Sequence, residues 1–327
     1  MLIENWNHAR HFTGALPLLV SRTQKPYARY SRLVGEDRID SLAVKRADHL
    51  LRSGNTLALA IVDDGGISAI AAGSILPWDS RHCGFTAARI DLLSAAGTYG
   101  EARKCLEALL PAFLRKCREA GVRHLSARVG AEELALVHTL EGNEFELLDG
   151  VQTLSVRLDS RPSDPTVADF TIRPATSGDE DQIAAIARTA YLHDRFHADP
   201  MLTTQQADAM HEDWMRNSCR GTAADAVLVA VCDDRVLGYV TCKLDADTLA
   251  GLGVSFGTIV LVASSEDSRG RGVATQTTQR ALQWFWDQGT RIVEIGTQLT
   301  NAGAARVYEH AGFRVINVSL TFRRRLF

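Results

Sequence analysis

The chain has 327 residues, of which 46% are apolar, with 36 Lys and Arg against 39 Asp and Glu and a net charge of −3. That length is long for one compact domain, and two of about 150–170 residues are the better expectation. Charges of both signs are mixed along the chain, which argues against a nucleic-acid or membrane-surface partner, and no apolar run approaches the roughly 18 residues of a membrane span. Met1–His8 has no charged segment leading into an apolar core, so no leader is expected. The six cysteines form no C-x-x-C pair; they read as buried free thiols of a reduced, cytoplasmic protein with no metal site.

Residues 1–35 carry no clear periodicity. Beyond them, a helix is predicted over Ile39–Arg52. A hairpin follows, with strands Leu57–Asp63 and Ser68–Ser74 around Asp64-Gly65-Gly66. Ala87–Leu93 reads as a strand, Glu101–Glu119 as a helix, His124–Val129 as a strand and Ala131–Leu140 as a helix. The segment Ser160-Arg161-Pro162-Ser163-Asp164-Pro165-Thr166 is polar and carries two prolines, as a linker does. The expected organisation is therefore a first domain over 1–159, a linker over 160–168 and a second domain over 169–327.

In the second half, Phe170–Pro174 reads as a strand, with Asp179 as the N-cap of a helix reaching Thr189. Thr204–Asn217 is a helix. Ala226–Val231 and Val236–Lys243 form a hairpin around Cys232-Asp233-Asp234-Arg235. Gly257–Ser264 is a strand, Gly272–Asp287 a helix, Ile292–Thr297 a strand, Asn301–Ala311 a helix and Phe313–Phe322 the closing strand. The halves resemble each other. Glu119–Leu125 matches Asp287–Val293 in pattern, and the same ungapped register pairs Phe145 with Phe313. It also pairs Arg269 with Glu101, Gly272 with Lys104, Asn301 with Glu133 and Tyr308 with Leu140. The second half is thus the one equipped for chemistry, and the first reads as a degenerate copy.

That chemistry starts at Ser268-Arg269-Gly270-Arg271-Gly272-Val273-Ala274-Thr275, between a strand and a helix. Gly270 and Gly272 let the backbone approach an anion, and the first N–H groups of the helix point at it. Alone, such a turn is often only a tight turn. Here Asn301 and Tyr308 follow on one helix, seven residues apart and so about two turns along one face.

Strand, R-x-x-G-x-A turn, helix, strand, then N-x6-Y on a helix resembles the GNAT superfamily of acetyl-CoA-dependent N-acyltransferases over roughly residues 170–325. The resemblance implies two tandem GNAT-like α/β domains, each a mixed, mostly antiparallel sheet flanked by helices. It puts Arg269, Gly270, Arg271, Gly272, Val273 and Ala274 in a pyrophosphate loop, with Asn301 downstream as a further acetyl-CoA contact. The edge of Val262–Ser264 is the natural partner for the amides of the pantetheine arm. Tyr308 is the candidate acid for the departing thiolate, with an ordinary pKa near 10 that suits proton donation. A packed core aromatic is the plainer reading of Tyr308, and Asn301 can serve simply as an N-cap. His193, His197, His211, Glu212 and a water chain are all candidate bases.

Ala190–Asp199, Trp214–Gly221 and Pro77–Gly84 are similar to a narrower branch, the dTDP-fucosamine acetyltransferases. That implies a small-molecule amine acceptor on a nucleotide-linked 4-amino-6-deoxy sugar, with Arg195, Phe196, His197 and Trp214 as candidate acceptor contacts. His82 and Cys83 depart from that branch's paired aromatics. Other amines (an aminoglycoside, a protein lysine or N-terminus) and a non-catalytic acetyl-CoA-binding regulator remain as alternatives. A homodimer is an admissible assembly.

Overall fold

A computed structural model describes residues 2–21, 25–63, 66–164 and 169–327. The expected turn residues Asp64 and Gly65, and residues 165–168 of the expected linker, lie outside the described residues. The chain divides into two compact units, Met1–Asp149 with Ser319–Phe327, and Gly150–Val318.

The first unit runs β1 (Leu2–Asn5), α1 (His8–Ser21), α2 (Ser31–Val34), α3 (Glu36–Arg52), β2 (Thr56–Asp63), β3 (Gly66–Ile75), α4 (Pro77–Cys83), β4 (Ala87–Ala95), α5 (Tyr99–Glu119), β5 (His124–Gly130) and α6 (Leu134–Gly142). Strands β1 to β4 pair antiparallel in chain order, and β5 lies parallel to β4. Strand β6 (Glu146–Arg157) crosses the division. The second unit continues with β7 (Thr171–Pro174), α7 (Glu180–Ala190), α8 (Thr204–Cys219), β8 (Ala226–Cys232), β9 (Arg235–Asp245), α9 (Ala246–Leu252), β10 (Phe256–Ser264), α10 (Val273–Asp287), β11 (Ile292–Gln298), α11 (Ala302–His310) and β12 (Arg314–Arg325). Its strands β7 to β10 pair antiparallel in order, and β11 is parallel to β10.

The division departs from the expected boundary near residue 160, and the closing strands are exchanged. Residues 151–157 of β6 pair antiparallel with β11 of the second unit, where Leu154 and Leu158 enter a core with Val293, Ile295, Tyr308 and Phe313. Residues 319–325 of β12 pair instead with β5 of the first unit, where Phe322 and Leu326 join a core with Leu125, Phe113 and Phe145. Each half therefore gives its last strand to the other's sheet. Sequence could not separate this from two self-contained halves, because both tails carry the same alternating pattern.

The ungapped register is visible in the element bounds. His124–Gly130, Leu134–Gly142 and Glu146–Arg157 begin and end at the positions paired with Ile292–Gln298, Ala302–His310 and Arg314–Arg325. Helices α5 and α10 also end together but start differently. Glu101 and Lys104 lie inside α5, where the second half has its glycine turn. Glu101 closes a capping box there, accepting the Thr98 N–H and hydroxyl at 2.8 Å each.

Several elements differ from expectation. Leu2–Asn5, His8–Ser21 and Ser31–Val34 occupy the stretch without clear periodicity, and Ala246–Leu252 and Pro77–Cys83 are short helices. Asp179 precedes α7 but does not cap it with its side chain. Its carboxylate turns back onto Arg173 at 2.7 and 3.0 Å and onto the Thr176 N–H at 2.7 Å. The β8–β9 turn is held by Asp233 and Asp234 at φ 47° and 60°, the left-handed pair that suits a two-residue hairpin turn.

Candidate functional site

Two parallel strands that separate make room for an extended ligand. β10 and β11 are paired only over Phe256–Ile259 and Ile292–Ile295. Beyond them the β11-facing edge of 260–264, which includes Val262 and Ser264, has no ladder partner among the described residues. On its other side β10 stays paired with β9, through a one-residue irregularity between Ile259 and Val262. The buried Thr241 hydroxyl accepts the Leu261 N–H there at 2.9 Å, so the bulge is satisfied internally. Both Val262 and Ser264 are half-buried.

The strand leads into a turn braced by Ser265 and Ser268, whose hydroxyls lie 2.6 Å apart. Gly270 and Gly272 both adopt left-handed backbone, φ 80° and 78°, which side chains resist. A Cβ on Gly270 would meet nothing within 4 Å, and one on Gly272 only Gln276 Nε2 at 3.8 Å. The loop therefore borders open space. The N–H groups of Gly272, Val273, Ala274 and Thr275 reach no acceptor among the described residues, as expected for a helix start. Arg271 is committed to Asp169 at 2.5 Å, whereas Arg269 is exposed and forms no ion pair among the described residues. Of the two arginines, Arg269 is the one free to meet an anion.

The helix start is held against the sheet by a residue the sequence reading passed over. A Cβ on Gly238 would lie 2.6 Å from Ala263 O and 2.7 Å from Val273 Cγ1. Only glycine lets Val273 seat on β9 at that distance. A lone glycine inside Val236-Leu237-Gly238-Tyr239 was the available signal.

Asn301 caps α11, its side chain accepting the Ala304 N–H at 3.1 Å. Tyr308 packs its ring against Phe313, centroids 6.2 Å apart, within the second unit's core. Its hydroxyl has no hydrogen-bond partner among the described residues, and it is not one of the fully enclosed polar atoms lacking one. Burial holds its pKa above the ordinary value, so the group stays protonated at neutral pH.

Tyr191, Tyr239 and His211 assemble with one another. The Tyr191 hydroxyl is 3.0 Å from that of Tyr239. Its pKa is raised by burial, then by the charges of Tyr239 and Tyr308, so Tyr191 and Tyr308 lie within electrostatic reach. Tyr191 stacks on His211 at 4.5 Å and 20°. Tyr191 and Tyr239 read in sequence as ordinary rings, and His211 only as one of several candidate bases.

The segment after α7 is a turn. Asp194 organises it, accepting the Phe196 N–H at 2.7 Å through Oδ1. Arg195 lies over the Phe196 ring at 4.4 Å. Phe196 is buried, and Trp214 is half-buried in the core around Met215 and Tyr239. His197 is clasped by Asp194 at 2.5 Å and Asp208 at 3.0 Å. Burial opposes its charge, but the two carboxylates outweigh it and raise the pKa. Among the candidate bases, His197 and Glu212 are thus held in ion pairs, the latter with Arg216 and Arg188. His193 is exposed, and burial lowers the pKa of His211.

Residues 188–313 match the family model described as the acetyltransferase (GNAT) family. The chain is 27% identical over 72% of its length to the spore coat polysaccharide biosynthesis protein SpsD of Bacillus subtilis, covering 76% of that protein. It is 25% identical over 58% of its length to a dTDP-fucosamine acetyltransferase of Escherichia coli, covering 77% of it. A tandem GNAT protein from the clavulanic acid biosynthesis pathway superposes with a TM-score of 0.61 at 13% identity, covering 100% of this chain and 98% of that one. At that identity the likeness concerns the fold alone, and it spans the whole chain.

Proposed function

Because residues 188–313 are a GNAT-family acetyltransferase domain, we propose that this acetyl-CoA-dependent N-acetyltransferase acts on the primary amine of a nucleotide-linked amino sugar. The observation that carries the donor half is the pairing of an open β10 edge with a left-handed glycine loop in which the N–H groups of Gly272 to Thr275 reach no acceptor among the described residues. An anion with an amide-bearing arm fits both. The loop amides from Gly270 to Ala274 would hold the pyrophosphate, with Arg269 adding charge. Val262 and Ser264 would hydrogen-bond the pantetheine amides through their backbone. Acetyl-CoA supplies the acyl group as a thioester.

Tyr308 is the proposed acid. Its hydroxyl is protonated, has no hydrogen-bond partner among the described residues and sits in a largely apolar surround. It would give its proton to the sulfur as the amine takes the acyl group, and the proton lost by the amine leaves through solvent. Asn301 caps the helix that carries Tyr308 and so fixes where the hydroxyl stands.

The acceptor half rests on similarity to the spore coat polysaccharide biosynthesis protein and the dTDP-fucosamine acetyltransferase above and on the turn after α7. Tyr191, at its start, lies in electrostatic reach of Tyr308. Arg195, half-exposed at the same turn, is a suitable partner for a nucleotide diphosphate. The test is a panel of amines incubated with acetyl-CoA and the full chain, following free thiol. The expected result is turnover on a nucleoside-diphosphate amino sugar. Faster turnover on an aminoglycoside or a peptide amine would overturn the acceptor, and acetyl-CoA binding without turnover on any amine would overturn catalysis.

A further inference from the structure

Three side chains at the turn after α7 converge in a way that packing alone does not require. Asp194 Oδ2, His197 Nδ1 and His211 Nε2 are donor atoms of one group whose members all lie within 4.8 Å of one another. Each of the three also has its outer atom engaged. Asp194 Oδ1 accepts the Phe196 N–H at 2.7 Å. His197 Nε2 faces Asp208 Oδ1 at 3.0 Å. His211 Nδ1 faces the Ala207 carbonyl at 3.1 Å, which only a protonated Nδ1 can use. That last contact fixes the tautomer and turns the lone pair of His211 Nε2 inward, 3.8 Å from Asp194 Oδ2 and beyond hydrogen-bond reach.

Outer acceptors that fix each imidazole so that its inner nitrogen is a donor are what metal-binding histidines ordinarily carry. We propose that Asp194, His197 and His211 form a site for a divalent first-row transition ion of the zinc type. Two imidazoles and one carboxylate suit such an ion, leaving a fourth position open. The proton now shared by His197 Nδ1 and Asp194 leaves to solvent when the ion enters, and the proton on Nε2 stays with Asp208. The ion joins the turn to α8 at two points, His211 and, through Asp208, the helix's first turns. His211 carries the Tyr191 ring on its face, so the site also fixes that ring. The ligand set is discontinuous in sequence and contains no cysteine, which is why cysteine spacing gave no hint of it.

The test is metal binding by the full chain after chelator treatment, titrated with Zn²⁺ by calorimetry and with Co²⁺ by visible absorption. One equivalent is expected, with a Co²⁺ spectrum typical of a low-coordinate site. His211→Phe keeps a ring for Tyr191 to stack on and should abolish stoichiometric binding. Asp194→Asn keeps the acceptor for the Phe196 N–H and should do the same. Asp208→Asn removes only the outer support and should weaken Zn²⁺ by about 10–100-fold. Circular dichroism selects the variants that fold, and the Asp208 variant suffices if the buried ones do not. Absence of stoichiometric binding in the parent chain, or affinity within about twofold of the parent in the folded variants, overturns the site and leaves a histidine held between two carboxylates.

Discussion

The Tyr308 hydroxyl and the Gly272 backbone are single-residue features with separable consequences. Tyr308→Phe keeps the ring packed on Phe313 and removes only the proton. The expected outcome is a fall in kcat of about 10²–10⁴, the usual range for a lost general acid, with acetyl-CoA affinity unchanged by calorimetry. Near-normal kcat on a verified acceptor would assign the residue to packing. Gly272→Glu acts differently. It forces a side chain onto backbone at φ 78° and places a negative charge where the proposed donor site would hold the pyrophosphate. Acetyl-CoA binding should vanish in a chain whose circular dichroism is that of the parent. Unaltered affinity would remove the loop from the donor site. These residues were legible because their spacing between a strand and two helices is itself the signal. Gly238, Thr241 and the stacking of Tyr191 on His211 were not, because they depend on neighbours distant in sequence: a helix start seated on a glycine, a bulge opposite a hydroxyl, and rings stacked across a turn.

At the scale of an element, α7 is anchored by a carboxylate that turns away from it. Arg173 first of all, then the Thr176 N–H and hydroxyl, hold Asp179 down to a pKa of about 2 against the burial that would raise it. The folded value lies below the ordinary 3.8. Its stabilisation is therefore complete above that value and lost as pH falls through about 2. Discounted for the exposed Arg173, it amounts to about 1–2 kcal/mol at neutral pH. Asp179→Asn should lower the urea midpoint at pH 7, and the gap to the parent should narrow as the pH is taken from about 4 toward about 2. A gap independent of pH would mean that the amide replaces the carboxylate's hydrogen bonds without its charge mattering. Element identity was largely readable here: β8, β9, β10, α10, β11 and α11 fall within a few residues of their predicted spans. The side chain's direction was not, since an Asp before a helix reads as a cap whether or not it points that way.

For the whole molecule, the repeat was readable and the exchange of closing strands was not. The register that pairs Leu140 with Tyr308 and Lys104 with Gly272 predicts one acetyl-CoA per chain, since the first unit starts α5 with the Glu101 carboxylate where the second has free amides. Equilibrium dialysis showing two displaceable equivalents would overturn that asymmetry. The exchange makes its own prediction. A chain ending at Val318 loses the strand beside β5 but keeps every pairing between β10, β11 and residues 151–157. Amide exchange should accelerate across His124–Gly130 while Phe256–Ile259 stays protected. Equal protection in both segments would show that β5 does not need its partner. By the same logic a fragment of residues 161–327 lacks the strand beside β11 and is a poor vehicle for testing donor binding.

A ribosome makes this chain in one direction, and the first unit's sheet contains a strand that is synthesised only after all of Gly150–Val318. Until then β5 offers a bare edge, with Leu125 and Phe113 short of the Phe322 that later packs beside them. The unit that comes first in the gene is thus the one that must finish last. Such long-range closure slows folding and leaves an open strand edge exposed while the rest of the chain is made. Order of synthesis and order of completion run opposite ways in this protein, and during translation the nascent first unit is the part with most need of a chaperone's cover.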